Sequence, residues 1–188
     1  MTQESSRTPP VQDQAAPVSG EGAQAFTRAQ VEELFLNAAR EGDADLLTRF
    51  LAAGMDPNLR AEKGYTPLIL ATYNGHAQAA AVLLAHGAQP DLQDEKGATA
   101  LAGVAFKGDV ALARQLLDAG ASVDVPNAVG RTPLMFAVMF GREPMARLLL
   151  DAGASPTLRD GEGLSAADLA QRQGNTALAP AFRHAAPG

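Results

Sequence analysis

Side chains that could carry out chemistry are few in this sequence, and they are scattered. The histidines are His76, His86 and His184, and none has a carboxylate or a second histidine at the spacing of a metal site or catalytic pair. Cysteine is absent, which excludes thiolate catalysis, disulfides and cysteine-ligated zinc. No nucleophile elbow, phosphate loop or His-Glu-x-x-His motif occurs. The sequence therefore predicts a protein without catalytic activity, metal or cofactor.

Composition excludes further classes of function. The net charge of −6 argues against a nucleic-acid partner, because such binding relies on clustered Lys and Arg. No apolar run approaches the ~20 residues that a membrane span needs. The first residues lack the basic and apolar regions of a secretory signal, so we expect a cytoplasmic protein with no membrane association.

The elements that position the side chains are repeated at a fixed interval. Thr66-Pro67-Leu68 recurs every 33 residues as Thr99-Ala100-Leu101, Thr132-Pro133-Leu134 and, more weakly, Ser165-Ala166-Ala167. Glycines keep the same step, for example Gly64, Gly97, Gly130 and Gly163. A constant period between ~20 and ~50 residues indicates an array of structural repeats.

Each repeat is predicted to contain two short helices. The threonine hydroxyl can cap a helix start, and the proline suits the first helical position. A mid-repeat glycine ends this helix, and a second helix carries the leucines of the core. In the third repeat we expect Leu112, Leu116 and Leu117 to pack inward. Upstream, Thr27 and Gln30 have the spacing of a capping box.

These residues resemble the ankyrin repeat family. The pattern Gly-x-Thr-Pro-Leu is followed at the end of the second helix by Leu83-Leu84-Ala85-His86-Gly87-Ala88 and its echoes. The resemblance covers five units over about residues 28–182. The alanine- and arginine-rich composition resembles that of small bacterial ankyrin repeat proteins. It implies an all-α solenoid of stacked helix–turn–helix units with projecting hairpin-like loops. The family often has His after Thr-Pro-Leu, whereas this chain has Ile69, Ala102, Met135 and Asp168, which predicts local apolar packing or a less firmly fixed turn.

The repeats set the expected domain boundaries. Residues 1–25 are rich in Pro, Gln and Ser and hold too little apolar area to offset the entropy of ordering, so we expect a disordered tail. Residues 26–184 form the repeat domain, whose first and last units are irregular caps. Residues 185–188 form a C-terminal tail.

Large apolar side chains also occur where no core role is needed. The resemblance implies that the two residues before the mid-repeat glycine face the concave side, which the first helices and loop tips form. Tyr73 lies five residues after Leu68, roughly 140° from the core-facing direction, and Phe106 and Met139 repeat that offset. Phe140 lies beside them. These side chains either pad the groove between helices and loops, or form an exposed stripe that anchors a partner.

We therefore expect a monomeric module that binds an unidentified protein through its concave face. Further residues, mainly on the loop tips, would set its specificity, and they are Lys63, Tyr65, Lys96, Lys107, Val129 and Arg131. Two alternatives stay open. The groove could hold a small molecule or an enzymatic site, or the stack could be a scaffold that stabilises a larger partner.

Overall fold

The computed structural model describes residues 26–185, so the expectations for residues 1–25 and for most of the C-terminal tail lie outside the described residues. Ten α-helices form in this part, paired in chain order into five helix–turn–helix units. Two single 3₁₀ turns, Glu62–Gly64 and Thr176–Leu178, accompany them. The helices are α1 (Arg28–Glu41), α2 (Ala44–Ala52), α3 (Pro67–Tyr73), α4 (Ala77–Ala85), α5 (Ala100–Lys107), α6 (Val110–Asp118), α7 (Pro133–Met139), α8 (Glu143–Asp151), α9 (Ala166–Arg172) and α10 (Ala179–Ala185).

The units stack in two layers of helices. The first helices α1, α3, α5, α7 and α9 pack in that order, and the second helices α2, α4, α6, α8 and α10 form the other layer. No strand occurs among the described residues, where Arg159 and Ser165 form an isolated bridge. The predicted all-α solenoid of stacked helix–turn–helix units is confirmed.

Single side chains cap the starts of the first helices, as the sequence predicts. The hydroxyl oxygens of Thr66, Thr99, Thr132 and Ser165 each accept a hydrogen bond from the backbone N–H three residues on, at 3.1–3.4 Å. All four side chains are buried, so the cap also satisfies an amide that water could not reach. Thr27 and Gln30 form the expected capping box at α1.

The core repeats with the same period. Phe35, Leu68, Leu101 and Leu134 lie 33 residues apart and are at most 1% exposed. In the second helices Leu83, Leu116 and Leu149 are fully buried. Leu117, predicted to pack inward, is only half-buried because it lies one residue, or ~100°, around α6 from Leu116.

The slot after Thr-Pro-Leu is filled in two ways. Ile69, Ala102 and Met135 are buried, so apolar packing occupies the position at which ankyrin repeats often have a histidine. In the last unit the carboxylate of Asp168 accepts hydrogen bonds from the backbone N–H and the hydroxyl of Ser165, at 3.0 and 2.8 Å. That capping box holds the turn without a histidine.

Backbone hydrogen bonds join the loop tips to one another. The amides of Glu95, Ala128 and Gly161 donate to carbonyls of the preceding tips, each at 2.9 Å. The close approach of neighbouring tips explains why position 97 is a glycine. A Cβ on Gly97, whose φ is +74°, would lie 2.6 Å from the backbone nitrogen of Ala128. The tips therefore form a continuous, rigid edge beside the first helices.

Candidate protein-binding surface

Four apolar side chains lie at the ends of three neighbouring first helices. Tyr73 ends α3, Phe106 is the penultimate residue of α5, and Met139 ends α7. Phe140 follows as the C-cap of α7. We call these four residues the inner stripe. Because α3, α5 and α7 pack in succession, the 33-residue step of the sequence becomes a row across the stack.

Exposure divides the inner stripe into two pairs. Tyr73 and Phe140 are 46% and 45% exposed, whereas Phe106 and Met139 are half-buried. The two interpretations of the sequence are not exclusive, since a half-buried side chain can still contact a partner. Phe106 and Met139 are partly covered by the protein and keep some surface in solvent, and Tyr73 and Phe140 present more of theirs.

Contacts between units fix the orientation of the exposed rings. The ring of Phe140 meets that of Phe106 edge-on, with centroids 4.4 Å apart. The Lys107 ammonium lies 4.3 Å from the centroid of the Tyr73 ring, a cation–π contact. Gly103 lies beneath Tyr73, since a Cβ there would be 3.4 Å from Cδ2 of the ring. Both rings are therefore held in place before any ligand arrives.

The stripe belongs to two longer rows that run the length of the stack at 33-residue steps. The first row is Arg40, Tyr73, Phe106, Met139 and Arg172. The second row is Glu41, Asn74, Lys107, Phe140 and Gln173. Side chains of the following unit tie down the helix ends beneath them: Arg142 donates to the carbonyl of Phe106 and Gln173 to that of Met139, both at 3.1 Å.

The loop-tip residues predicted to set specificity differ in their availability. Lys63 and Lys96 are exposed, and Val129 is 54% exposed, so all three can contact a ligand. Tyr65 is half-buried beside the core. The tips therefore offer two ammonium groups and one apolar side chain alongside the inner stripe.

Arg131 is engaged within the protein. Its guanidinium donates to the carboxylates of Asp160 at 3.2 Å and Glu162 at 2.9 Å, on the next loop. Burial alone would raise the pKa of the Asp160 carboxyl, but hydrogen bonds from the Leu164 amide, Arg131 and the Glu162 amide outweigh burial and lower it. The ion pair joins the last two loop tips and leaves Arg131 only partly available to a ligand.

Sequence reasoning missed a set of residues whose side chains accept backbone hydrogen bonds inside the loop tips. Asp94, Asn127 and Asp160 each accept two backbone hydrogen bonds within their own loop through one side-chain oxygen. They recur at the 33-residue step, so the period itself could have revealed them. In the first loop Ala61 takes this place, and Lys63 there adopts a positive φ of 59°.

The histidines whose side chains are described have structural roles. Nε2 of His76 lies 3.0 Å from the carbonyl oxygen of Arg40, which connects the first two units. Nδ1 of His86 lies 2.8 Å from the carbonyl oxygen of Val82 at the end of α4, as expected. Within residues 26–185 no group of His, Asp and Glu is placed to hold a metal ion. His184 falls in the part of α10 whose side chains are not described.

Comparison with known proteins identifies the family. A family model described as ankyrin repeats, three copies, matches residues 35–127, 82–160 and 103–185, which together cover most of the chain. The chain belongs to the ankyrin repeat family. A curated ankyrin repeat protein of Pseudomonas aeruginosa is 45% identical over 51 residues, which is 27% of this chain and 29% of that relative. The matched segment thus spans less than a third of the relative's length.

Membership bears on function in a general way. Ankyrin repeats generally serve as protein–protein interaction modules, and the family is generally non-catalytic. In the part of this ankyrin repeat protein that the structure describes, no helix has the length and apolar character needed to cross a membrane.

Proposed function

We propose that this ankyrin repeat protein binds a partner protein through the concave face of its stack, with the inner stripe as anchor, and that it has no catalytic activity. The observation that supports this most strongly is that two aromatic rings are exposed to solvent and yet held in one orientation by neighbouring side chains. Tyr73 and Phe140 each leave nearly half of their surface in solvent, while Lys107 and Phe106 hold the rings in place. Ordered, exposed aromatic side chains are typical anchors of protein interfaces, because little entropy is lost when they are covered.

The surrounding residues fit the rim of such an interface. Lys63 and Lys96 lie exposed on the tips, Val129 adds apolar area, and Lys107 lies over the Tyr73 ring. Charged residues around an apolar centre contribute mainly to specificity and association rate. Tyr65 and Arg131 act by holding the tips in position. We further propose that the protein is monomeric and cytoplasmic.

A capture experiment tests the proposal. The protein is immobilised and exposed to lysate of its native organism, beside the double variant Phe106→Ala, Met139→Ala. A matched control, Gln78→Ala with Arg114→Ala, changes two exposed residues on the second helices α4 and α6. We expect one protein to be retained by the wild type and the control and lost by the stripe variant. Equal retention by all three would refute the role of the stripe.

A further inference from the structure

The two rows that contain the inner stripe are basic, although the protein as a whole is acidic. They hold three cations, Arg40, Lys107 and Arg172, against one carboxylate, Glu41, in a chain of net charge −6. All three cations are exposed, and none forms an ion pair among the described residues. A ligand that covered the rows would need carboxylates to pair with these groups.

The loop tips do not change this balance. Glu62 stands beside Lys63, and Glu95 stands beside Lys96, so each of these tips offers one exposed charge of either sign. Glu162 is already paired with Arg131. In the groove beside α1, however, Glu33 and Glu62 lie with Arg40 and Lys63 and balance their charge. The positive excess is therefore confined to Lys107 beside the aromatic rings and Arg172 at the last unit.

The spacing of the anchors constrains the conformation of the ligand. Neighbouring packed helices lie ~8–10 Å apart, so Tyr73, Phe106 and Met139 follow one another at about that step. In an α-helix, residues seven apart are ~10.5 Å apart and on the same face. In a β-strand, residues three apart span ~10 Å but point to opposite faces. An α-helix that lies along the stack can therefore reach successive anchors with one face.

The second row distinguishes the α-helix from a polyproline II segment. The latter also repeats one face every three residues, at ~9.3 Å, but presents only a single row on that face. Phe140 is a fourth anchor in the second row, and Lys107 stands in the same row beside Tyr73. An α-helix supplies a second, adjacent row through residues at i+3 or i+4.

We propose that the ligand of the inner stripe is an acidic amphipathic α-helix that lies along the stack, with apolar residues at i, i+3 or i+4, and i+7, and carboxylates facing Lys107 and Arg172. This inference rests on the proposed function, since it names the class of partner for the same surface. The parallel between the 33-residue step of the protein and the seven-residue step of a helix carries it.

A peptide selection tests the inference without knowledge of the native partner. A random library of 20-residue peptides is displayed and selected on the full-length wild-type protein, then counter-selected on the variant Tyr73→Ala, Phe140→Ala. We expect enriched sequences with apolar residues at heptad spacing and a clear excess of Asp and Glu. Enriched peptides that are basic, proline-rich or alternating would overturn the inference but leave protein binding by the stripe intact. If selection yields no peptide that depends on the stripe, both proposals fail.

A charge exchange tests the electrostatic part separately. The affinity of an enriched peptide is measured for the wild type and for Lys107→Glu, by fluorescence anisotropy. The substitution should weaken binding by about 3–10-fold, and a peptide with its Glu residues changed to Lys should prefer the variant. An affinity that is unchanged by either exchange would contradict a carboxylate partner for Lys107.

Discussion

At the scale of single residues, the structure turns an apolar pattern into two ordered pairs of side chains. Tyr73 with Lys107, and Phe106 with Phe140, each join neighbouring units. The sequence shows that these residues lie near one another, because their spacing follows the repeat. It could not show which rings are covered, since that depends on rotamers and on contacts between side chains more than 30 residues apart in the chain.

Two glycines should respond in opposite directions to the same substitution. Gly97 has a φ of +74° and its added Cβ would lie 2.6 Å from the Ala128 nitrogen, so Gly97→Ala should destabilise by about 1–3 kcal/mol. Gly103 is helical, and an added Cβ would make an ordinary contact with the Tyr73 ring at 3.4 Å, so Gly103→Ala should stabilise by about 0.5–1 kcal/mol. Urea denaturation measures both. A destabilised Gly103→Ala would show that the Tyr73 ring already fills the space above it.

Asp160 should make the stability of the fold depend on acidity. The folded protein lowers the pKa of this carboxyl from its ordinary 3.8, so its stabilisation is present above pH 3.8 and is lost as the pH falls through the folded value. Asp160→Asn should cost about 1–3 kcal/mol at pH 7, and the difference from the wild type should shrink below pH 3.8. The measurement is urea denaturation at several pH values.

Asp124 provides the matched control for this titration. Burial raises the pKa of the Asp124 carboxyl, although a hydrogen bond from the Ser155 amide opposes the change. Its contribution to stability is therefore present below pH 3.8 and is lost as the pH rises through the folded value, the reverse of Asp160. Asp124→Asn should not destabilise at pH 7 through this linkage. If both variants showed the same pH trend, the assignment of the two carboxylates would be wrong.

At the scale of helices and loops, local signals predict most of what is seen. Thr66, Thr99 and Thr132 cap their helices because the cap needs only a hydroxyl and a next residue that suits the first helical position. The loop edge was not predicted, since it depends on amides of one tip reaching carbonyls of another. Arg131 shows the same limit: its partners Asp160 and Glu162 lie on a different loop, so its ion pairs could not be inferred from the chain around it.

The packing of the second helices has a direct test in α6. Leu116 is fully buried, so Leu116→Ala should lower the free energy of unfolding by about 2–5 kcal/mol. Leu117 is half-buried, and Leu117→Ala should cost clearly less. Thermal or urea denaturation compares the two. An unchanged melting curve for Leu116→Ala would refute the register of the repeats.

At the scale of the whole molecule, stability is shared between neighbours. Each unit packs mainly on those before and after it, as in other repeat proteins. The helices of the second unit have only 7 and 9 residues, below the ~12–15 at which isolated helices become marginal in water. A synthetic peptide of residues 59–91 should therefore show no helix by circular dichroism, whereas the full chain is helical. A helical peptide would contradict the dependence of each unit on its neighbours.

The inner stripe too is a property of the whole stack, because it exists only when units two, three and four are in register. The most direct test of its role is the dissociation constant of the captured partner for three proteins: the wild type, Tyr73→Ala with Phe140→Ala, and the control Gln78→Ala with Arg114→Ala. Removing two interface anchors should weaken binding at least ~10-fold, while the control and all melting temperatures stay close to the wild type. Equal affinity of a folded stripe variant would contradict the account.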